Sequence, residues 1–372
     1  MKATLERQTL LKSLSHVHRV VERRNTIPIL SNVLISAEDA HVNFKATDLD
    51  LEIVDQAPAM VERTGSTTVP AHLLYEIVRK LPEGSQVLMD APTDGAQMRL
   101  SAGKASFTLQ MLPESDFPDI TAGTFTNTFE MPGADLKRLI DRTQFAISNE
   151  ETRYYLNGIY FHTVEQGPDV TLRAVATDGH RLAQAELKAP VGAESIPGVI
   201  VPRKAVGEIQ RLLEDPDKAV TIELSDLKIR LTIGPVVLTS KLIDGTFPDY
   251  ERVIPRGNDK QLSVDRDVFK EAVDRVSTVS SERGRAVKLT LTDGQMVLTV
   301  NNPESGSATE ELAVDYSADA IDIGFNSRYL LDITNQLDAD TATFLLADPG
   351  SPTLIRDPKD DHALYVLMPM RV

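Results

Sequence analysis

The chain contains no cysteine and no tryptophan. Without cysteine there is no disulfide, no thiol nucleophile and no thiolate-bound zinc, a composition in keeping with a reducing cytoplasm. Aromatic residues total only 5%, which leaves little material for stacking single-stranded bases. No apolar run approaches the roughly 18 residues that cross a bilayer, so no membrane partner is expected. The opening MKATLERQTLLKSL carries charges and an amphipathic beat in place of a signal peptide's apolar block. Also missing are G-x-x-x-x-G-K-[ST], G-x-G-x-x-G and H-E-x-x-H, the common signatures of phosphate cradles and helix-borne zinc. Neither cofactor nor metal is expected.

What is present is a soluble globular composition, 41% hydrophobic and 25% charged, with 372 residues to build two or three domains. Net charge is −16, which taken alone argues against a nucleic-acid partner.

The strongest internal signal is repetition. Ala-Thr-Asp occurs at 46–48 and again at 176–178, and DFPDI at 116–120 answers TFPDY at 246–250. TVPAHLLYEIVRKL from Thr68 answers IVPRKAVGEIQRLL from Ile200, and GFNSRYLLDITNQL from Gly324 gives a third copy. In these segments Leu74, Ile77 and Leu81 match Val206, Ile209 and Leu213, then Leu330, Ile333 and Leu337. That spacing places each trio on one helical face. LLKSLSHVHRVV, DLKRLIDRTQFAIS and VFKEAVDRVSTVSS open the three copies in the same way. Alternating runs such as VKLTLTDGQMVLTV read as strands with one wet face. The expected fold is α+β, with three tandem similar domains at 1–124, 125–257 and 258–372. Each consists of two half-units of one helix plus antiparallel strands, with turn-rich boundaries at 121–128 and 255–261.

Charge is unevenly distributed. The six helical windows 10–24, 70–84, 134–148, 202–215, 266–285 and 326–340 hold 18 basic and 15 acidic residues, a net of +3, and the remainder carries −19. Lys and Arg are good helix formers, which explains part of this without function. A mildly positive strip within an acidic shell also suits loose contact with a polyanion.

Two groups invite a catalytic reading. On a strand, Asp48, Asp50 and Glu52 would share a face, as carboxylates holding a divalent ion could, for a metal-dependent phosphodiesterase. The plainer expectation is a solvated face with Thr47, Leu49 and Leu51 turned inward. Asp178 and His180 resemble an acid/base pair, yet Asp-Gly is also a favoured turn and Gly-His-Arg-Leu could form the lip of a pocket. The last residues, ALYVLMPMRV, place Met368 and Met370 on either side of Pro369, which suits an adaptable binding surface more than a regular strand.

Taken in order, TIPILSNVLI, ATDLDLE, TRYYLNGIYF, ATDGHRLA, VIVPRK, DGTFPDY, GFNSRYLLDI and YVLMPMR closely resemble the bacterial replicative sliding clamps, the beta subunits of DNA polymerase III. The likeness runs over the whole chain. It implies the DNA clamp fold, a head-to-tail homodimer closing six domains into a ring around duplex DNA, helices lining the hole, and no catalytic activity. It also implies a cytoplasmic, nucleoid-associated processivity factor that binds double-stranded DNA without sequence preference. The implied partners are the catalytic subunit of DNA polymerase III, a clamp loader, other DNA polymerases, mismatch repair proteins and DNA ligase, docking through short Leu/Phe-containing motifs. The implied peptide cleft comprises Leu156, Thr177, Gly179, His180, Arg181, Leu182, Pro248, Arg252, Val253, Val366, Met368, Pro369, Met370 and Arg371. DNA contacts fall on Arg24, Arg203 and Lys204, and the dimer interface on Phe107, Leu109, Thr278 and Val279. Where the family pattern places a polar contact near DNA, this chain has Glu150 and Glu151.

Overall fold

Alternation in the sequence becomes alternation of burial. Lys228–Ile233 buries Ile229, Leu231 and Ile233, and Ala286–Thr292 buries Val287, Leu289 and Leu291. The computed structural model describes residues 1–93, 95–120, 123–281 and 285–372. Thr121 and Ala122 of the first expected boundary, and Glu282 to Gly284 of the fifth helical window, lie outside the described residues.

Six α-helices occur among the described residues: α1 (Arg7–Val17), α2 (Ala71–Lys80), α3 (Gly133–Thr143), α4 (Arg203–Leu212), α5 (Arg266–Ser277) and α6 (Ser327–Thr334). They are shorter than the sequence windows. α1 passes into a 3-10 turn at His18–Val20, so Arg23 and Arg24 lie beyond it in an exposed bend. Their inward faces follow the expected spacing. Val206, Ile209 and Leu213 are buried, as are Leu330, Ile333 and Leu337; in α2 the face shifts slightly, with Val78 buried and Ile77 half-buried. α5 is capped by Asp265, whose side chain accepts from the Val268 N–H, and α6 by Asn326, which accepts from Arg328 and Tyr329.

The chain packs as two compact units. One contains Met1–Ala134 and Gly207–Leu242, the other Asp135–Val206 and Ile243–Val372. All strand pairing among the described residues is antiparallel. The first unit has a five-stranded sheet, in which Ala105–Gln110 is an outermost strand, and an eight-stranded one. In the larger sheet Leu51–Pro58 pairs with Val236–Lys241, so strands of the first and second sequence repeats form one ladder, with Ile53 opposite Leu238 and Glu52 opposite Thr239. The second unit repeats this arrangement. Arg181–Lys188 pairs with Asp360–Leu367, placing Leu182 opposite Val366, and a four-stranded sheet ends in Gly306–Ala313. Packing units and sequence repeats are therefore different partitions of the chain.

Candidate functional site

The two Ala-Thr-Asp copies form the same turn. In the first, Thr47 Oγ1 accepts from the Leu49 N–H at 3.0 Å, and Asp48 Oδ1 accepts from Asp50 at 3.0 Å and Leu51 at 2.7 Å. In the second, Thr177 Oγ1 accepts from Gly179 at 3.1 Å, and Asp178 Oδ1 accepts from His180 at 2.9 Å and Arg181 at 3.1 Å. The third residue is left-handed in both, with φ of 80° at Leu49 and 88° at Gly179. Side-chain oxygens satisfying the N–H groups two and three residues on are what Thr and Asp supply to a turn.

This geometry overturns both catalytic readings. Asp178 is engaged by main-chain N–H groups and by Arg181 Nε at 3.1 Å, and so does not orient the His180 imidazole as a base. Asp48, Asp50 and Glu52 do not share a strand face, because the strand begins only at Leu51. Asp50 pairs with Lys241 at 2.9 Å, whereas Glu52 is buried beside Lys45 at 3.5 Å. Burial pushes the Glu52 carboxyl above its usual range. Of the residues expected inward there, Thr47 and Leu51 are buried and Leu49 is half-buried.

Past the turn the two copies diverge. In the second, Arg181 is buried, donating from Nη1 to Asp332 Oδ2 at 2.6 Å and from Nη2 to the Phe145 carbonyl at 2.6 Å. Its guanidinium lies 4.2 Å from the Tyr329 ring centroid and 5.1 Å from that of Phe145. Beside this anchor opens a predominantly apolar cavity of about 280 Å³. Nine of the fourteen expected cleft residues line it: Leu156, Thr177, Gly179, Arg181, Leu182, Pro248, Val253, Val366 and Met368. Val253 and Met368 are exposed large apolar side chains, 46% and 37% accessible, and Leu156, Leu182 and Val366 form the buried base.

The other five do not line the cavity. His180 sits on the adjoining turn, its ring centroid 6.5 Å from that of Tyr329. Arg252 is exposed and ion-paired to Asp249 at 2.6 Å. Beyond the half-buried Pro369, Met370 pairs through its main chain with Gly324, its N–H donating to the Gly324 carbonyl at 2.8 Å, and Arg371 is exposed. Four lining residues were not expected from the sequence: Arg153, Tyr155, Asp249 and Tyr250. Asp249 and Tyr250 belong to the repeated Phe-Pro-Asp motif, which was legible as a marker but not as a wall. Arg153 is held by Glu150 at 2.8 Å and donates to the Asp178 carbonyl at 3.1 Å. The expected polar position at Glu150 is thus tied to the groove's rim, and Glu151 is exposed beside it.

Arg24 is exposed. Arg203 opens α4 with its guanidinium donating to the carbonyls of Ser148 and Ile147, and burial lowers its pKa. Lys204 is half-buried. Of the expected interface residues, Phe107 is exposed on the outermost strand Ala105–Gln110, Thr278 is the exposed C-cap of α5, and Val279 is half-buried. Leu109, on the same face of that strand as Phe107 by alternation, is 1% exposed.

Fold and groove together define a repeat-built docking protein with one apolar, polar-rimmed groove. The comparisons with known proteins specify which. Family models for the N-terminal, central and C-terminal domains of the DNA polymerase III beta subunit match residues 1–121, 130–249 and 251–371. The beta sliding clamp of Caulobacter vibrioides is 54% identical and that of Escherichia coli K12 41% identical, each match covering all of both chains. The crystal structure of the Bartonella birtlesii sliding clamp bound to griselimycin superposes with a TM-score of 0.97 at 57% identity over all of both chains. A Caulobacter crescentus beta sliding clamp, with polyethylene glycol bound to its putative beta-motif tethering region, gives 0.97 at 54% identity, covering all of this chain and 99% of that one. The chain belongs to the DNA polymerase III beta subunit family, the bacterial sliding clamps, built of three tandem clamp domains and serving DNA replication as processivity factors.

Proposed function

We propose that two copies of this chain close head-to-tail around duplex DNA and that the groove at Leu156, Leu182, Val366 and Met368 tethers the replicative polymerase. The clamp domains are assigned to 1–124, 125–257 and 258–372. The groove carries this reading: a preformed apolar pocket with a charged and hydroxyl-bearing rim suits a short peptide with Leu and Phe anchors. The same groove serves the clamp loader, other DNA polymerases, mismatch repair proteins and DNA ligase in turn. His180, Arg252, Pro369, Met370 and Arg371 flank it, where a peptide extending past the cavity reaches them.

Ring closure is supported by two outermost strands, Ala105–Gln110 of the first unit's five-stranded sheet and Gly306–Ala313 of the second unit's four-stranded sheet, each of which offers a main-chain edge. Edge addition between two copies is a heterologous contact that closes by twofold symmetry. Phe107, Leu109, Thr278 and Val279 are assigned to this interface.

Topology, rather than affinity, holds such a ring on DNA. The helical windows' +3 is sufficient to centre a duplex while the −19 elsewhere discourages stray binding. Arg24 and Lys204 are assigned to the phosphates, with Arg203 shaping the start of α4. The protein acts in the cytoplasm without catalysing a reaction, and no described helix is long and apolar enough to cross a membrane. The test is retention: loaded protein stays on circular DNA and leaves after a single cut by running off the ends. Equal loss from intact and cut circles would refute encirclement.

A further inference from the structure

Tyr250 lines the groove yet is only 6% exposed, and its hydroxyl is turned into the protein. Arg173 donates from Nη1 to Tyr250 Oη at 2.8 Å, and the hydroxyl lies 2.9 Å from His162 Nε2. Because arginine can only donate, the hydroxyl's own proton is available to the imidazole. Both partners are themselves fixed. Arg173, 7% exposed, donates from Nε to Glu186 Oε2 at 2.8 Å and from Nη1 to Glu251 Oε1 at 3.0 Å. The His162 ring stacks on Tyr160 at 4.4 Å, and Tyr160 stacks on Phe247 at 4.9 Å.

The first repeat supplies a control within the same molecule. Strand register equates Ser36 opposite Asn43 with His162 opposite Arg173, and Asn43 opposite Gln56 with Arg173 opposite Glu186. The motif that ends in Tyr250 ends in Ile120 there. The first copy makes the same Thr-Asp turn, but where Leu182 faces Val366 in the second it has Glu52 facing Thr239. Tyrosine, histidine, arginine and glutamate thus occur together in the copy that has the apolar groove, and the other copy has none of them.

A tyrosine beside a partly wetted cavity has two places to put its hydroxyl. With no internal partner, burial of the hydroxyl costs about 1–3 kcal/mol, and the ring turns outward to hydrate it. That movement would fill the cavity with the ring. We propose that His162 and Arg173 are positioning residues of the docking groove: by binding the Tyr250 hydroxyl from behind, they keep the ring out of the space that a partner's apolar anchor enters. The groove is then preformed, and binding costs no side-chain rearrangement at that wall. This inference rests on the docking reading.

The test uses full-length protein and a fluorescent synthetic peptide with one leucine and one phenylalanine anchor, followed by anisotropy. A peptide with both anchors replaced by alanine serves as control. His162→Phe combined with Arg173→Met should weaken binding about tenfold or more, corresponding to roughly 1.4 kcal/mol. Adding Tyr250→Phe, which removes the hydroxyl that seeks water, should restore affinity to within about threefold of wild type. Should the Arg173 variant fail to fold, His162→Phe with and without Tyr250→Phe provides the same comparison. Rescue by Tyr250→Phe separates positioning from general loss of structure, which a further truncation would worsen. Equal binding by wild type and the unrescued variant, or failure of Tyr250→Phe to rescue a folded one, would overturn the inference alone. Absence of wild-type binding would overturn the docking reading and this inference with it.

Discussion

The Met368 N–H donates to the His180 carbonyl at 2.9 Å, fastening the chain's last apolar segment to the turn closed by Asp178. The first packing unit has the same bond between Lys241 and Asp50 at 2.8 Å, with a lysine where the groove has methionine. One backbone arrangement therefore carries two different surfaces.

Removing Met368 to Val372 should abolish high-affinity peptide capture while leaving a folded dimer. Two main-chain bonds are lost, Met368 to His180 and Met370 to Gly324, so the stability cost should be about 2 kcal/mol. Peptide titration and sedimentation check the two halves of this expectation. Unchanged peptide affinity would refute the assignment of Met368 to the docking wall.

Gly179→Ala tests why the second turn needs glycine. A Cβ at φ 88° would stand 2.5 Å from Arg153 Nη1, whereas Leu49 occupies φ 80° in the first copy. The left-handed conformation should cost about 1–2 kcal/mol, and the arginine should be displaced from the groove's rim. Arg153→Ala in the same chain should recover the clash component but not the conformational one, read as two thermal midpoints.

Arg181→Met should destabilise the protein by about 3 kcal/mol, because Asp332, Asp178 and the Phe145 carbonyl each lose a guanidinium donor at once. Arg181→Lys should recover little of this, since one ammonium cannot span three acceptors approached by three different guanidinium nitrogens. Urea midpoints of the three proteins decide it.

His162 predicts an acid-side stability slope. Burial, followed by the Arg173 charge, lowers its pKa from 6.5 to about 4. Between those values the unfolded chain binds a proton that the folded chain does not, so stability falls as pH drops from about 6.5 toward 4. The full contribution is about 3 kcal/mol. His162→Phe should remove this slope, and an unaltered stability profile from pH 4 to 7 would contradict the burial assigned to the ring.

The repeat and the helix faces were legible because they are written in local spacing: Val206, Ile209 and Leu213 needed only a 3.6-residue period, whereas the cleft residues came from the resemblance of their motifs to the sliding clamps. Long-range register was not. Nothing local says that Leu51–Pro58 continues into Val236–Lys241, since strand partners are chosen across nearly two hundred residues. Asp48 was read as part of a strand, whereas the Thr-Asp pair closes a turn. Tyr250 was visible as a repeat marker, but its role depends on Arg173 and His162, which approach it only in the folded sheet.

Shared ladders also determine where this chain can be divided. A fragment cut at 125 and 257 would lose Leu51–Pro58 from one end and Asp360–Leu367 from the other, leaving Val236–Lys241 and Arg181–Lys188 with bare, sticky margins. The middle third is thus a unit of ancestry without being a unit of folding. Two of its strands, Arg181–Lys188 and Val236–Lys241, are completed by its neighbours, and load applied across either repeat boundary is borne in shear by a row of main-chain bonds rather than by a slack tether.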